Sequence, residues 1–207
     1  MKAWTWLSPL AVALVGCHLC PTGDAKPTRP PATVSSASNA APARPGVVAV
    51  SPANARIGFT GSTALVSHSG TFEAFDGTLE LPTDDPKDLK VRVAVDMVST
   101  TTKIGLLTKH LKAEDFFDVA HYPKAEFVLD GVTPAGEAGG YAVTGRLTVH
   151  GVERPVAFPA RVAVTPEEVS FDATLTVRQT EFGMAEAAKK TKDEVPVTVS
   201  IRARRKP

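Results

Sequence analysis

The chain has 207 residues, 23 basic against 22 acidic side chains for a net charge of +1, and 43% apolar residues. These values allow one buried core with chain to spare, and they exclude a collagen-like or wholly disordered polypeptide. A near-neutral balance leaves no basic footprint for nucleic acid, and two cysteines, Cys17 and Cys20, lie too close to the N-terminus to staple a fold.

In chain order, Met1 to Gly16 opens with Lys2 and an apolar run through Leu10, Ala11, Val12, Ala13, Leu14 and Val15. Residues 1–16 read as a secretory signal peptide, shorter than the roughly 20 apolar residues of a membrane-spanning helix. Leu14-Val15-Gly16-Cys17 resembles the lipobox of bacterial lipoproteins, whose cysteine is acylated and becomes the mature N-terminus. Cys17 is therefore the expected lipidation site and the membrane, through that lipid, an expected partner. Cys20 is left as a free thiol or a link to another chain. His18 stands where the resemblance would place Asp as an inner-membrane retention signal, so the expected location is the periplasm, with the outer membrane favoured. Residues 17–46 hold Pro21, Pro27, Pro30, Pro31, Pro42 and Pro45 among Ala, Ser and Thr with no apolar period, the composition of a disordered tether. The 29 residues from His18 to Gly46 span about 90 Å as extended polyproline and roughly 30 Å as a random coil.

Residues 47–207 suit one domain. Setting aside Lys2, Lys26, Arg29, Arg44 and Asp24 leaves it 19 basic and 21 acidic residues. Eight strands are read in it: Arg56–Thr60, Gly70–Leu81 with Gly77 as a bend, Leu89–Ser99, Lys124–Val132, Tyr141–His150, Glu153–Thr165, Val169–Arg178 and Val195–Arg204. In Val169–Arg178 every second residue is apolar (Val169, Phe171, Ala173, Leu175, Val177), and the residues between are Ser, Asp, Thr and Arg. Side chains alternate across a strand, so this segment presents one uncharged face. Val91, Val93, Val95 and Met97 repeat the pattern, as do Val156 to Val164 and Val195 to Ala203. Between Thr101 and Leu111 alternation stops, and Ile104, Leu107 and Leu111 fall at helical spacing, predicting one short helix. The basic tail, Arg202, Arg204, Arg205 and Lys206, reads as a solvated chain end. Short connections favour antiparallel hairpins, and such strands build either a sandwich or an up-and-down barrel.

Longer motifs decide between these. His110-Leu111-Lys112, Asp115-Phe116-Phe117-Asp118, Tyr122-Pro123 and Phe127 resemble a signature of the YceI-like family. Gly145-Arg146-Leu147-Thr148-Val149-His150-Gly151-Val152 with Pro155-Val156 resembles that family's hairpin, and Arg178-Gln179-Thr180-Glu181-Phe182-Gly183 its element after the penultimate strand. Gly70, Phe72, Phe75 and Gly77 match its early strand. The resemblance implies an all-β, eight-stranded antiparallel lipocalin-like barrel whose pore holds a polyisoprenoid or similar amphiphilic chain, in a mostly periplasmic family. The run Ser62–Ser69 departs from the pattern in being more polar.

The candidate site is apolar. Phe72, Phe127, Phe158 and Phe171 face inward as lining or core, Phe116 and Phe117 sit at a mouth or plug, and Phe182 covers an end of the barrel. Each enclosed CH₂ of a ligand contributes about 0.8 kcal/mol, so ten carbons give roughly 8 kcal/mol before ordering costs. No covalent cofactor is expected, only a non-covalent isoprenoid, quinone or other long apolar ligand, and a homodimer is left open. His68, His110, His121 and His150 lack metal-ligand spacing. Neither a nucleophile elbow nor a phosphate loop is present, so the expected class is a binding protein and not an enzyme. Arg178 and Glu181 are placed to pair with each other. The competing expectation is a solidly packed barrel whose loops serve as a protein–protein adaptor or envelope stress factor.

Overall fold

The computed structural model describes residues 46–205. The signal segment, Cys17, Cys20, tether residues 18–45, Lys206 and Pro207 lie outside the described residues. The strands are β1 (Val47–Val50), β2 (Ala55–Ser62), β3 (Ser67–Phe72), β4 (Phe75–Glu80), β5 (Lys90–Asp96) and β6 (Thr100–Thr102), followed by β7 (Lys124–Pro134), β8 (Gly140–Val149), β9 (Val152–Val164), β10 (Glu168–Arg178) and β11 (Glu194–Arg204). Helix α1 (Gly105–Leu111) follows β6, and α2 (Ala185–Lys190) precedes β11. All eleven strands join one antiparallel sheet in the order β1-β4-β5-β7-β8-β9-β10-β11-β2-β3-β6.

Among the described residues eleven strands replace the expected eight, and two α-helices replace the expected one. Of the three additional strands β1 is an N-terminal addition, and the other two have a local cause. The Gly70–Leu81 segment breaks at Glu73–Ala74 into β3 and β4, and Leu89–Ser99 breaks where the Asp96 carboxylate accepts the Val98 N–H at 2.8 Å and starts a 3-10 turn at Met97–Ser99. The two breaks lie side by side, since the Glu73 N–H donates to the Ser99 carbonyl (3.3 Å) and the Asp96 N–H to that of Ala74 (3.0 Å). Beyond this paired bend β4 runs with β5 and β3 with β6, so the sheet curls round on itself. The bend is not at Gly77. A Cβ there would fall 2.3 Å from the Arg92 carbonyl oxygen, so the missing side chain admits close contact between β4 and β5. Strand β1 pairs only with β4 and closes one end, which we call the floor.

Alternation then sorts the residues. Val169, Phe171, Ala173, Leu175 and Val177 of β10 are all buried, and along β7 the inward series Ala125, Phe127, Leu129 is reset to Val132 by a bulge between Leu129 and Gly131. At the floor, Val50, Leu79, Val143, Val169, Ile201 and Ala203 are each no more than 2% exposed. The opposite end, the mouth, gathers the β2–β3 tip, the α1 segment, the two-residue turn His150–Gly151 and the α2 segment. His150 and Gly151 both have positive φ, 52° and 73°, as a tight right-twisted hairpin requires. Arg205 of the basic tail lies at the floor, 2.7 Å from Asp84.

Candidate ligand-binding cavity

Between floor and mouth the barrel is hollow. A cavity of about 170 Å³ is walled by inward positions such as Val93, Phe127, Leu147 and Val197, and roofed at the mouth by Leu111, Phe116, Phe117 and Met184. Gln179 and Thr191 contribute the only side-chain nitrogen or oxygen atoms to its lining, and no lining residue is charged.

Two aromatic groups shape the space. Near the mouth, the ring of Phe59 lies 5.3 Å from Phe72 and 5.8 Å, almost perpendicular, from Phe117. On the opposing wall Phe127 and Phe158 are 5.8 Å apart. These edge-on and tilted arrangements suit the ring quadrupoles. Their placement depends on two buried glycines. A Cβ on Gly70 would sit 2.4 Å from the Phe59 ring, and one on Gly145 would sit 2.7 Å from Phe127. Bare backbone at both points lets a ring lie back against the wall and leaves the centre open.

Of the residues expected at the site, Phe72, Phe116, Phe117, Phe127, Phe158 and Phe171 line the cavity. Phe182 does not. It is 1% exposed and packed into the core, on the same face of the 3-10 turn Gln179–Phe182 as Gln179. Gln179 holds the cavity position instead. Its Nε2 donates to the Lys192 carbonyl at 2.7 Å and to Thr191 Oγ1 at 3.0 Å. A carbonyl can only accept, so the amide orientation is fixed, and its Oε1 has no hydrogen-bond partner among the described residues. Phe59 was a second omission, although Ile57 and Phe59 share one face of β2 and the alternation pointed there. The Arg178–Glu181 pair does not form. Arg178 bonds Glu194 at 3.1 Å, and the Glu181 carbonyl accepts from Arg154 at 3.1 Å.

The mouth is crossed by one ionic contact. Lys190 of α2 pairs with Asp115 beyond α1, with His110 3.6 Å from the same carboxylate and Lys190 5.7 Å above the Phe116 ring. The hydrogen bond from Lys190 holds the Asp115 carboxyl below its ordinary 3.8, outweighing partial desolvation. Beside the cavity, His150 stacks 4.2 Å from Tyr122 and its Nε2 is buried with no partner. Burial pushes its pKa below 6.5, against the opposing charge of Asp118. Among the described residues no group of three or more His, Cys, Asp or Glu is placed to hold a metal ion.

The family model for the YceI-like domain matches residues 49–203. The chain belongs to the YceI-like family. A UPF0312 protein of Pseudomonas syringae pv. tomato is 34% identical over 121 residues, covering 56% of this chain and 62% of that protein. One from Photorhabdus laumondii is 38% identical over 93 residues, 45% of this chain and 47% of the other. The chain thus spans less than two thirds of the length of the curated relatives it matches. Among solved structures, BcnA of Burkholderia cenocepacia superposes with a TM-score of 0.67 at 24% identity, covering 73% of this chain and 98% of that one. A polyisoprenoid-binding domain from Saccharophagus degradans gives 0.62 at 15% identity, covering 79% and 100%. At these identities the structures share the fold of this YceI-like chain. The cavity chemistry has to be argued from its own residues.

Proposed function

We propose that this protein is a periplasmic, lipid-anchored carrier that encloses one slender apolar chain, of the polyisoprenoid or quinone-tail class, in its barrel. The observation that carries the reading is the uncharged cavity, continuous from the phenylalanines at the mouth to the floor. About 170 Å³ is below the roughly 300–1,000 Å³ of common small-molecule sites, so the pore suits a single hydrocarbon chain and rejects a bulky ring body. Gross gain is about 0.8 kcal/mol per enclosed CH₂, so affinity follows the length of chain taken in. The Saccharophagus degradans neighbour, a polyisoprenoid-binding domain with the same fold, supports this ligand class. Gln179 Oε1 supplies one acceptor and no acid–base pair faces the cavity, an arrangement suited to holding a ligand unchanged.

Native mass spectrometry of the purified protein tests the reading. Co-purified apolar ligand, lost on organic extraction and regained on adding a fluorescent isoprenoid, is the expected result. A bare mass with no uptake would overturn it in favour of a packed adaptor.

A further inference from the structure

We infer that the mouth of the barrel is a membrane-docking face that seats on an anionic phospholipid surface. The five large apolar side chains exposed among the described residues all lie on the mouth half: Leu65 (94%), Leu106 (79%), Val66 (50%), Val98 (48%) and Ile104 (47%). Single exposed apolar residues are ordinary, whereas a group gathered at one end marks a contact surface. The register brings them together. The β2–β3 pairing ends at Ser62 opposite Ser67, and the β3–β6 pairing at Gly70 opposite Thr102. Continued outward, it sets the tip bearing Leu65 and Val66 beside the start of α1, where Ile104 and Leu106 stand.

Charge identifies the occupant. Residues 62–71 and 100–113 hold Lys103, Lys109, Lys112, His68 and His110 and no Asp or Glu; of the acids that follow, Asp115 is taken up by Lys190 and His110, which leaves the three lysines as the cations of this surface. The floor loops carry Asp84, Asp85, Asp88, Glu137 and Glu167 against Lys87 and Arg205, which pair with Asp85 and Asp84. Leucines for the acyl boundary and lysines for phosphate headgroups are the chemistry of an interfacial lipid contact. A protein partner of the same apolar shape would not need that sign of charge. The second segment reaches the cavity through Leu111, and Gly61, which precedes the first, also lines it, so an apolar chain passes from bilayer to pore without crossing water. Only this purpose rests on the carrier reading; the docking itself does not.

The chain joins the domain at the floor, where the Gly46 carbonyl accepts from Leu81 at 2.9 Å. Turning the mouth to the membrane therefore needs slack equal to the barrel's length. The eleven residues of β10 span about 35 Å, less than the contour of about 90 Å that polyproline geometry would allow a 29-residue stretch.

The test uses the full chain with Cys17→Ser and Cys20→Ser, bearing an environment-sensitive NBD label on Leu65→Cys at the mouth or on Thr83→Cys at the floor. Phosphatidylglycerol vesicles are expected to raise NBD emission at least twofold, with a blue shift, at position 65 and not at 83. Adding Leu106→Asp should abolish that rise while leaving the melting curve and isoprenoid uptake in solution unchanged. No rise at position 65, or an equal rise at both, overturns the docking face. Uptake measured without vesicles separates the two readings: its loss with an intact vesicle response counts against the carrier and not against docking.

Discussion

Ile201 and Val197 face the same interior from one strand, β11, yet Ile201 is 1% exposed and Val197 only half-buried. The contrast recurs on β8, where Val143 is enclosed and Leu147 and Val149 are half-buried, whereas the inward face of β10 is buried along its length. At the floor, Leu79, Val143 and Ala203 are completely enclosed because β1 and the leucines at 81 and 89 supply a plug. Toward the mouth, glycines at 70 and 145 draw the aromatic rings outward, and the centre stays empty. Alternation thus specifies which face is dry. Whether that face meets another wall depends on residue volume at a few positions and on what closes each end.

Truncations at matched depths sharpen the contrast. Leu79→Ala at the floor should cost about 2–5 kcal/mol, the range for a fully packed leucine, read by urea unfolding, with affinity per folded molecule unchanged. Gln179→Leu should cost about 1–3 kcal/mol, because the Lys192 carbonyl loses its donor, and should favour hydrocarbons without a polar head in competition binding. Leu147→Ala in the pore should cost only about 1 kcal/mol, since its side chain already borders a void; a loss equal to that of Leu79→Ala would mean that the two halves do not differ.

The smallest effect is a pH slope. The folded-state pKa of His150 lies below 6.5, so between that lowered value and 6.5 the unfolded chain binds more protons. Stability should therefore fall as pH drops through this window. His150→Asn, which tolerates the positive φ of the turn, should flatten the slope in thermal melts taken from pH 7 to pH 5.

The sequence carried much of this fold, for physical reasons that also mark where it stopped. The inward sets of β5, β7, β10 and β11 were legible because one dry face against one wet face forces period two. Strand β6 and the first half of β3 were not, because Thr100-Thr101-Thr102 and Ser67-His68-Ser69 are polar and owe their pairing to neighbours. The Glu73–Ala74 bend was invisible for a similar reason, being fixed by hydrogen bonds to a strand remote in sequence. Six of the seven phenylalanines expected at the site line the cavity: parity along strands places Phe72, Phe127, Phe158 and Phe171, and Phe116 and Phe117 reach it from the loop after α1. Phe182 packs into the core and Gln179 lines the cavity because β10 ends at Arg178 and a 3-10 turn, with period three, carries both side chains.

The most direct measurement fills the pore. Val95→Phe with Val197→Phe adds two rings to facing walls of the cavity, and uptake of a fluorescent isoprenoid is then titrated alongside a melting curve. Affinity is predicted to fall at least tenfold while the melting temperature holds or rises, since the rings occupy empty space. Unchanged uptake in a folded double variant would place the ligand elsewhere and contradict the hollow-barrel account.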